Sequence, residues 1–123
     1  MLKQEANALL LDAQLLIDEP DKWGKCHPAY NENGERVTVK SKRACRFCAF
    51  GALDRAYHNG SYSRKSLNYA RRELSNAIQP LVEYPTDLSY GPNFSIITGF
   101  NDGAYTKHAD IMAVFDMAIV NSQ

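Results

Sequence analysis

Apolar residues recurring at helical spacing, in stretches closed by proline or glycine, limit what this chain can fold into more than any other feature. In the first stretch Leu2, Ala6, Leu9, Leu10, Ala13, Leu16 and Ile17 share one face of a helix running from Leu2 to Ile17. Pro20 ends it, because the residue before a proline is pushed out of the helical region. A second helix is expected from Ser41, as N-cap, through Cys45, Cys48, Ala49, Ala52, Leu53 and Ala56. It stops at His58-Asn59-Gly60, where glycine accepts a left-handed conformation. Ser61 or Ser63 caps a third, with Leu67, Ala70, Leu74 and Ile78 on one stripe, and Pro80 closes it. Thr106 caps the last, which turns Ile111, Val114, Phe115, Ala118 and Ile119 inward. Asn33-Gly34 supplies the positive-φ residues of a type I′ turn, so a small hairpin is expected, with Val37 and Val39 alternating on its outgoing arm. Phe94 to Phe100 is a β-branched apolar run and reads as a strand. The expected fold is mainly α with a minor β part: about four helices, a small hairpin and one short strand, in one domain over residues 1–123.

For 123 residues, surface scaling gives about 6,600 Å² folded against about 20,000 Å² extended, enough burial for a core. Apolar content of 45% and charged content of 23% exclude a disordered or fibrous chain. No apolar run approaches the roughly 18 residues of a membrane helix, so a soluble protein with no membrane partner is expected. The opening MLKQEANALL lacks the small-residue cleavage site of a secretory signal. Three cysteines, an odd number, argue against a disulfide framework and for a reducing cytoplasm. There is no phosphate-binding Walker loop, dinucleotide-binding glycine pattern, H-E-x-x-H or G-x-S-x-G, which disfavours nucleotide hydrolysis, dinucleotide redox chemistry and zinc proteolysis. No cofactor is expected.

A net charge of zero conceals three blocks. Residues 1–34 hold three basic residues against six acidic, residues 35–72 ten against two, and residues 73–123 only Lys107 against six. The plainest account folds the acidic ends onto the basic middle. The sharper one notes that Arg43, Arg46, Arg55, Arg64, Lys65, Arg71 and Arg72 interleave with Tyr62 and Tyr69 on helices two and three. Cations track phosphates and aromatic rings stack on bases, so this face could meet nucleic acid. Tyrosine and arginine also anchor protein interfaces, so an acidic protein partner fits equally.

The cysteines offer two further readings. Cys26-His27 and the C-x-x-C of Cys45 and Cys48 provide four soft ligands for zinc, although no second C-x-x-C accompanies them. Alternatively Cys48, beside Arg46, is a nucleophile with His27 or His108 as base and Asp102 or Asn101 as orienting group. Against both stands the ordinary role of cysteine as a small buried apolar residue.

Three blocks look familiar together: Trp23 with Asn33-Gly34-Glu35-Arg36-Val37; Phe47-Cys48-Ala49-Phe50-Gly51-Ala52-Leu53; and Phe100-Asn101-Asp102 followed by Phe115-Asp116-Met117-Ala118-Ile119. This pattern resembles an uncharacterised family of small bacterial and phage proteins. Members carry tryptophan or phenylalanine before Cys-x-x-Gly-Ala-Leu, and a later Trp-Asn-Asp. The resemblance implies that Trp23, Cys48, Gly51, Asn101 and Asp102 are family positions. Phe100 stands in for tryptophan, and Cys26, Cys45 and His27 depart from the pattern. It supplies no mechanism; for a phage source it suggests interference with a host system. Physically, Gly51 inside a helix costs up to about 1 kcal/mol relative to alanine, so it should permit a close approach. Asn101 and Asp102 should bond backbone donors in a turn and fix the start of the following helix. The expected function is binding rather than catalysis, by an accessory protein with a protein or nucleic-acid partner.

Overall fold

Burying those apolar stripes against one another produces five α-helices in a computed structural model that describes residues 2–123. They are α1 (Leu2–Leu16), α2 (Ala49–Asn59), α3 (Arg64–Ile78), α4 (Pro92–Asn101) and α5 (His108–Asn121). Helix α1 packs on α2, α3 and α5, while α3 also meets α4 and α5. The shared core holds Leu9, Leu10, Ile17, Leu53, Leu67, Leu74, Ile78, Ile97 and Phe115, all without solvent exposure apart from a trace at Leu67. Each such side chain contributes about 1.5–3 kcal/mol relative to exposure. The accessible surface is 7057 Å², close to the value that size scaling gives. Among the described residues no helix is long and apolar enough to cross a membrane.

The β part lies between α1 and α2. Strands β1 (Ala29–Tyr30) and β2 (Arg46–Phe47) pair antiparallel, with Ala29 opposite Phe47 and Tyr30 opposite Arg46. Single bridges extend this pair on both sides, Arg36 beside Tyr30 and Trp23 parallel to Phe47. The Asn33-Gly34 turn forms, but the expected outgoing strand does not: Val37 and Val39 lie outside any strand, the arm makes a single bridge at Arg36, and the turn differs from type I′. Gly34 alone has positive φ, at 77°, and its N–H reaches Asn31 O at 3.0 Å. A buried Asn31 side chain explains this: its Oδ1 accepts from the N–H groups of Asn33 and Glu35 at 2.9 and 3.0 Å. With the inner donors satisfied that way, one glycine in the left-handed region is enough.

Further expectations need correction. Gly60 closes α2 in an extended conformation, φ −105°, rather than a left-handed one. Helix α2 begins at Ala49 rather than after Ser41, because Arg46 and Phe47 are drawn into the small sheet and Cys48 becomes the N-cap. Cys45 therefore lies outside any helix. The run Phe94 to Phe100 is helical: Pro92 opens α4, and Ile96 and Ile97 are buried as the helix packs on α2 and α3. A strand there would need a partner edge for its backbone, whereas a helix satisfies its own polar groups. Helix α5 starts one residue late, with Lys107 as N-cap, and Lys107 N–H donates to Asp110 Oδ2 at 2.8 Å. The expected cap of α3 is Ser63, whose Oγ accepts from Ser66 N–H at 3.1 Å.

Candidate functional site

The resembling positions, far apart in the chain, meet at the start of α2. Asn101, the last residue of α4, is wholly buried. Its Oδ1 accepts from the Trp23 indole N–H at 2.6 Å and from Ala49 N–H at 2.9 Å. Its Nδ2 donates to Gly24 O and to Asp102 Oδ1, both at 3.0 Å. Asp102 Oδ1 also accepts from Cys26 N–H at 2.8 Å. Cys48 completes the cap, its Sγ accepting from Gly51 N–H at 3.3 Å. Two orphan donors of the first turn of α2 are thus taken by side chains from outside it. All four hydrogen-bonding positions of the Asn101 amide are occupied by protein groups, which fixes its flip and leaves none for a ligand.

Gly51 is explained by the same junction. A Cβ there would stand 2.1 Å from Pro28 O, so only glycine lets α2 approach that carbonyl. Pro28 O in turn accepts from Cys48 N–H at 3.2 Å. The roles of Pro28 and Gly24 were not legible in the sequence, since backbone acceptors carry no residue signature. Beside the junction, Lys25 Nζ donates to Gly103 O at 2.6 Å and lies over the Trp23 ring at 5.6 Å. The hydroxyl of Tyr30 donates to Lys25 O. Cys26 holds φ of 73°, in a region unfavourable for non-glycine residues, and the Asp102 contact to its N–H secures it.

These contacts also place the cysteines. Cys48 is buried, and burial pushes its thiol up to about 11. Among the described residues no hydrogen bond joins it to His27, His108, Asn101 or Asp102. His27 packs edge-on against Tyr30, and His108 Nε2 contacts Ile17 O at 2.7 Å. Cys26 and Cys45 are exposed and unpaired. Among the described residues no three His, Cys, Asp or Glu side chains are grouped to hold a metal ion, so Cys26, His27, Cys45 and Cys48 do not assemble.

The basic middle divides into two populations. Arg55 donates to Val39 O and Ser41 O at 2.7 and 2.6 Å, Arg46 donates to Asp21 O at 3.0 Å, and Arg71 pairs with Asp54 while lying 4.7 Å over Phe50. Tyr62 donates to Asp12 at 2.5 Å; burial, then this contact, push its hydroxyl up to about 12. These four are part of the scaffold. Arg43 is exposed on the loop before β2, whereas Arg64, Lys65 and Arg72 line the outer face of α3. Lys65 and Arg72 flank a groove of about 330 Å³ with Asn68, Tyr69, Asn93 and Leu2, and Arg72 stacks 5.0 Å over Tyr69.

The acidic ends do not neutralise this strip through ion pairs. Among the described residues the pairs are Lys22 with Asp18 and Glu19, and Arg71 with Asp54. Acidic Glu5 instead accepts from Ser63 N–H and Ser66 Oγ, at 3.2 and 3.1 Å.

No curated protein and no solved structure matches the chain. A family model matches residues 1–121, nearly the whole length, and the chain accordingly belongs to that family, a family of unknown function designated DUF6197.

Proposed function

We propose that this chain is a binding protein that engages an acidic protein through the outer face of α3. The supporting observation is that Arg64, Lys65 and Arg72 are exposed on α3 with no ion pair among the described residues, and that Lys65 and Arg72 share one helix face with Tyr69. Lys65 and Arg72 are seven positions apart, about 10 Å along the helix axis, so they address separate anionic groups. Three cations on α3, in a chain of zero net charge, offer few phosphate contacts and little long-range pull on a polyanion, which favours an acidic protein over nucleic acid. Exposed Cys26 and Cys45 suit a reducing compartment. We therefore take the setting to be the cytoplasm of a bacterial or phage-infected cell, where an accessory protein could act on a host system.

A labelled oligoglutamate peptide and a labelled single-stranded oligonucleotide, titrated by fluorescence anisotropy from about 50 to about 200 mM salt, test this. The peptide should bind, and the combined change Arg64→Glu, Lys65→Glu, Arg72→Glu should abolish binding without lowering the melting temperature. Tighter oligonucleotide binding with a steep salt slope would transfer the face to nucleic acid. Binding of neither probe would remove the reading.

A further inference from the structure

A second surface differs from the α3 strip in both charge and composition. The segment after α3 and the turn before α5 expose large apolar side chains: Leu81, Tyr84, Leu88, Tyr90 and Tyr105, the last two 80% and 93% exposed. Monomeric proteins seldom leave such side chains grouped without use, and tyrosine is a favoured interface anchor. Leu81 and Tyr105 border one groove of about 470 Å³ and Tyr90 another of about 350 Å³, and the two share Gly99 of α4. A Cβ at Gly99 would meet nothing within 4 Å, so the helix backbone is bare where the two grooves adjoin.

The two grooves have distinct chemistry. The larger is floored by Gly99, Gly103, Ala104 and Ala113 with Phe100 and Val114, a depression left by small residues and suited to an aliphatic side chain. The smaller is lined by Tyr90 and Phe94, whose rings are 5.3 Å apart, and by Asp87 and Asp102, each of which uses Oδ1 within the fold and keeps Oδ2 without a protein partner among the described residues. Aromatic faces with flanking carboxylates attract a cation by its charge and by the ring quadrupole. Asp110 adds a carboxylate to the larger groove. From Glu73 onward the chain has six acidic residues and one lysine. Two ammonium groups stand near these carboxylates, Lys25, which donates to Gly103 O, and Lys107, three residues before Asp110, so the excess of acidic over basic charge is greatest at the smaller groove.

We propose that this aromatic, acidic face docks a basic segment of another protein, one presenting arginine or lysine beside an aliphatic side chain. The cation lies between Tyr90 and the two aspartates, and the aliphatic group fills the depression over Gly99. Charge complementarity selects this occupant, and the proposal is independent of the α3 reading. A second copy of the chain, offering its own α3 strip, is the competing occupant.

The test is a ¹⁵N-correlation titration with an acetylated peptide of alternating leucine and arginine, against the same peptide with glutamate for arginine. The arginine peptide should give saturable shifts confined to the amides around Tyr90, Gly99 and Tyr105. Tyr90→Ala should weaken it by about threefold or more. Gly99→Arg, which projects into open space and so retains the fold, should block it. Absence of saturable shifts, an equal response of these same amides to the glutamate peptide, or unweakened binding by Gly99→Arg would each overturn the proposal. So would the same shifts appearing when the protein alone is concentrated, which would assign the face to a second copy.

Discussion

The indole N–H of Trp23 and the side-chain oxygen of Asn101 meet at 2.6 Å across 78 positions of sequence. The same oxygen also holds Ala49 N–H. Replacing Asn101 by alanine leaves those two donors and Gly24 O without partners in a buried place. Each such loss costs about 1–3 kcal/mol, so Asn101→Ala should lower stability by about 2–4 kcal/mol in urea unfolding. Asn101→Asp keeps the acceptor but loses the donor to Gly24 O and sets a charge beside Asp102. Its deficit should shrink at acidic pH, where the new carboxyl is protonated.

Gly51→Ala tests the close approach of α2 to Pro28. In a free helix the change would stabilise by up to about 1 kcal/mol. Here the added carbon would sit 2.1 Å from a backbone oxygen, which cannot swing aside like a side chain. The expected result is a loss of about 2 kcal/mol or more. A melting temperature at or above that of the original protein would refute the geometry.

Cys48 should be the slow thiol. Cys26 and Cys45 are exposed and should react with an alkylating reagent under native conditions, while Cys48 waits for unfolding. Its raised pKa also sets a pH dependence. The thiol titrates near 9.0 when unfolded and near 11 when folded, so between those values the folded state binds more protons. Its contribution is fully present below pH 9 and is lost as pH rises towards 11, by about 2 kcal/mol. Urea midpoints across this range should converge for the original protein and Cys48→Ala. Tyr62, also raised, adds a loss of the same sign towards pH 12 that both proteins share.

Neighbouring arginines should behave oppositely. Arg71 pairs with Asp54 and covers Phe50, and its side chain is 17% exposed. Arg71→Ala removes packing and leaves a half-buried carboxylate, for a loss of about 1–3 kcal/mol. Arg72→Ala, on the outer face, should stay within about 0.5 kcal/mol. Thermal unfolding of the two variants side by side is sufficient.

Helices α1, α3 and α5 were legible because each has a continuous apolar stripe, and α1 and α3 also have a proline just beyond their ends. Helix α4 was not: Ile96, Ile97 and Thr98 have strand propensity, and only packing against α2 and α3 overrides it. The start of α2 was misplaced because a strand of two residues, Arg46–Phe47, has no periodicity to detect. At the candidate site, spacing suggested that Gly51 allows a close approach but did not reveal Pro28 as its neighbour. Asn101 was readable as a backbone-binding residue. That its partners are Trp23, Gly24 and Ala49, contributed by other segments, depends on long-range folding. The arginines appeared equivalent in sequence, and only tertiary contacts separate the scaffold set from the free set.

Joining the ends of α4 and the Trp23 loop through one amide has a kinetic and spectroscopic corollary. Contacts that close loops of 52 and 78 residues are entropically late events compared with helix formation. The chain has one tryptophan, and its indole is part of that late contact. Its emission during refolding should therefore lag behind the far-ultraviolet helix signal, giving the molecule an intrinsic clock for the moment its distant segments lock together.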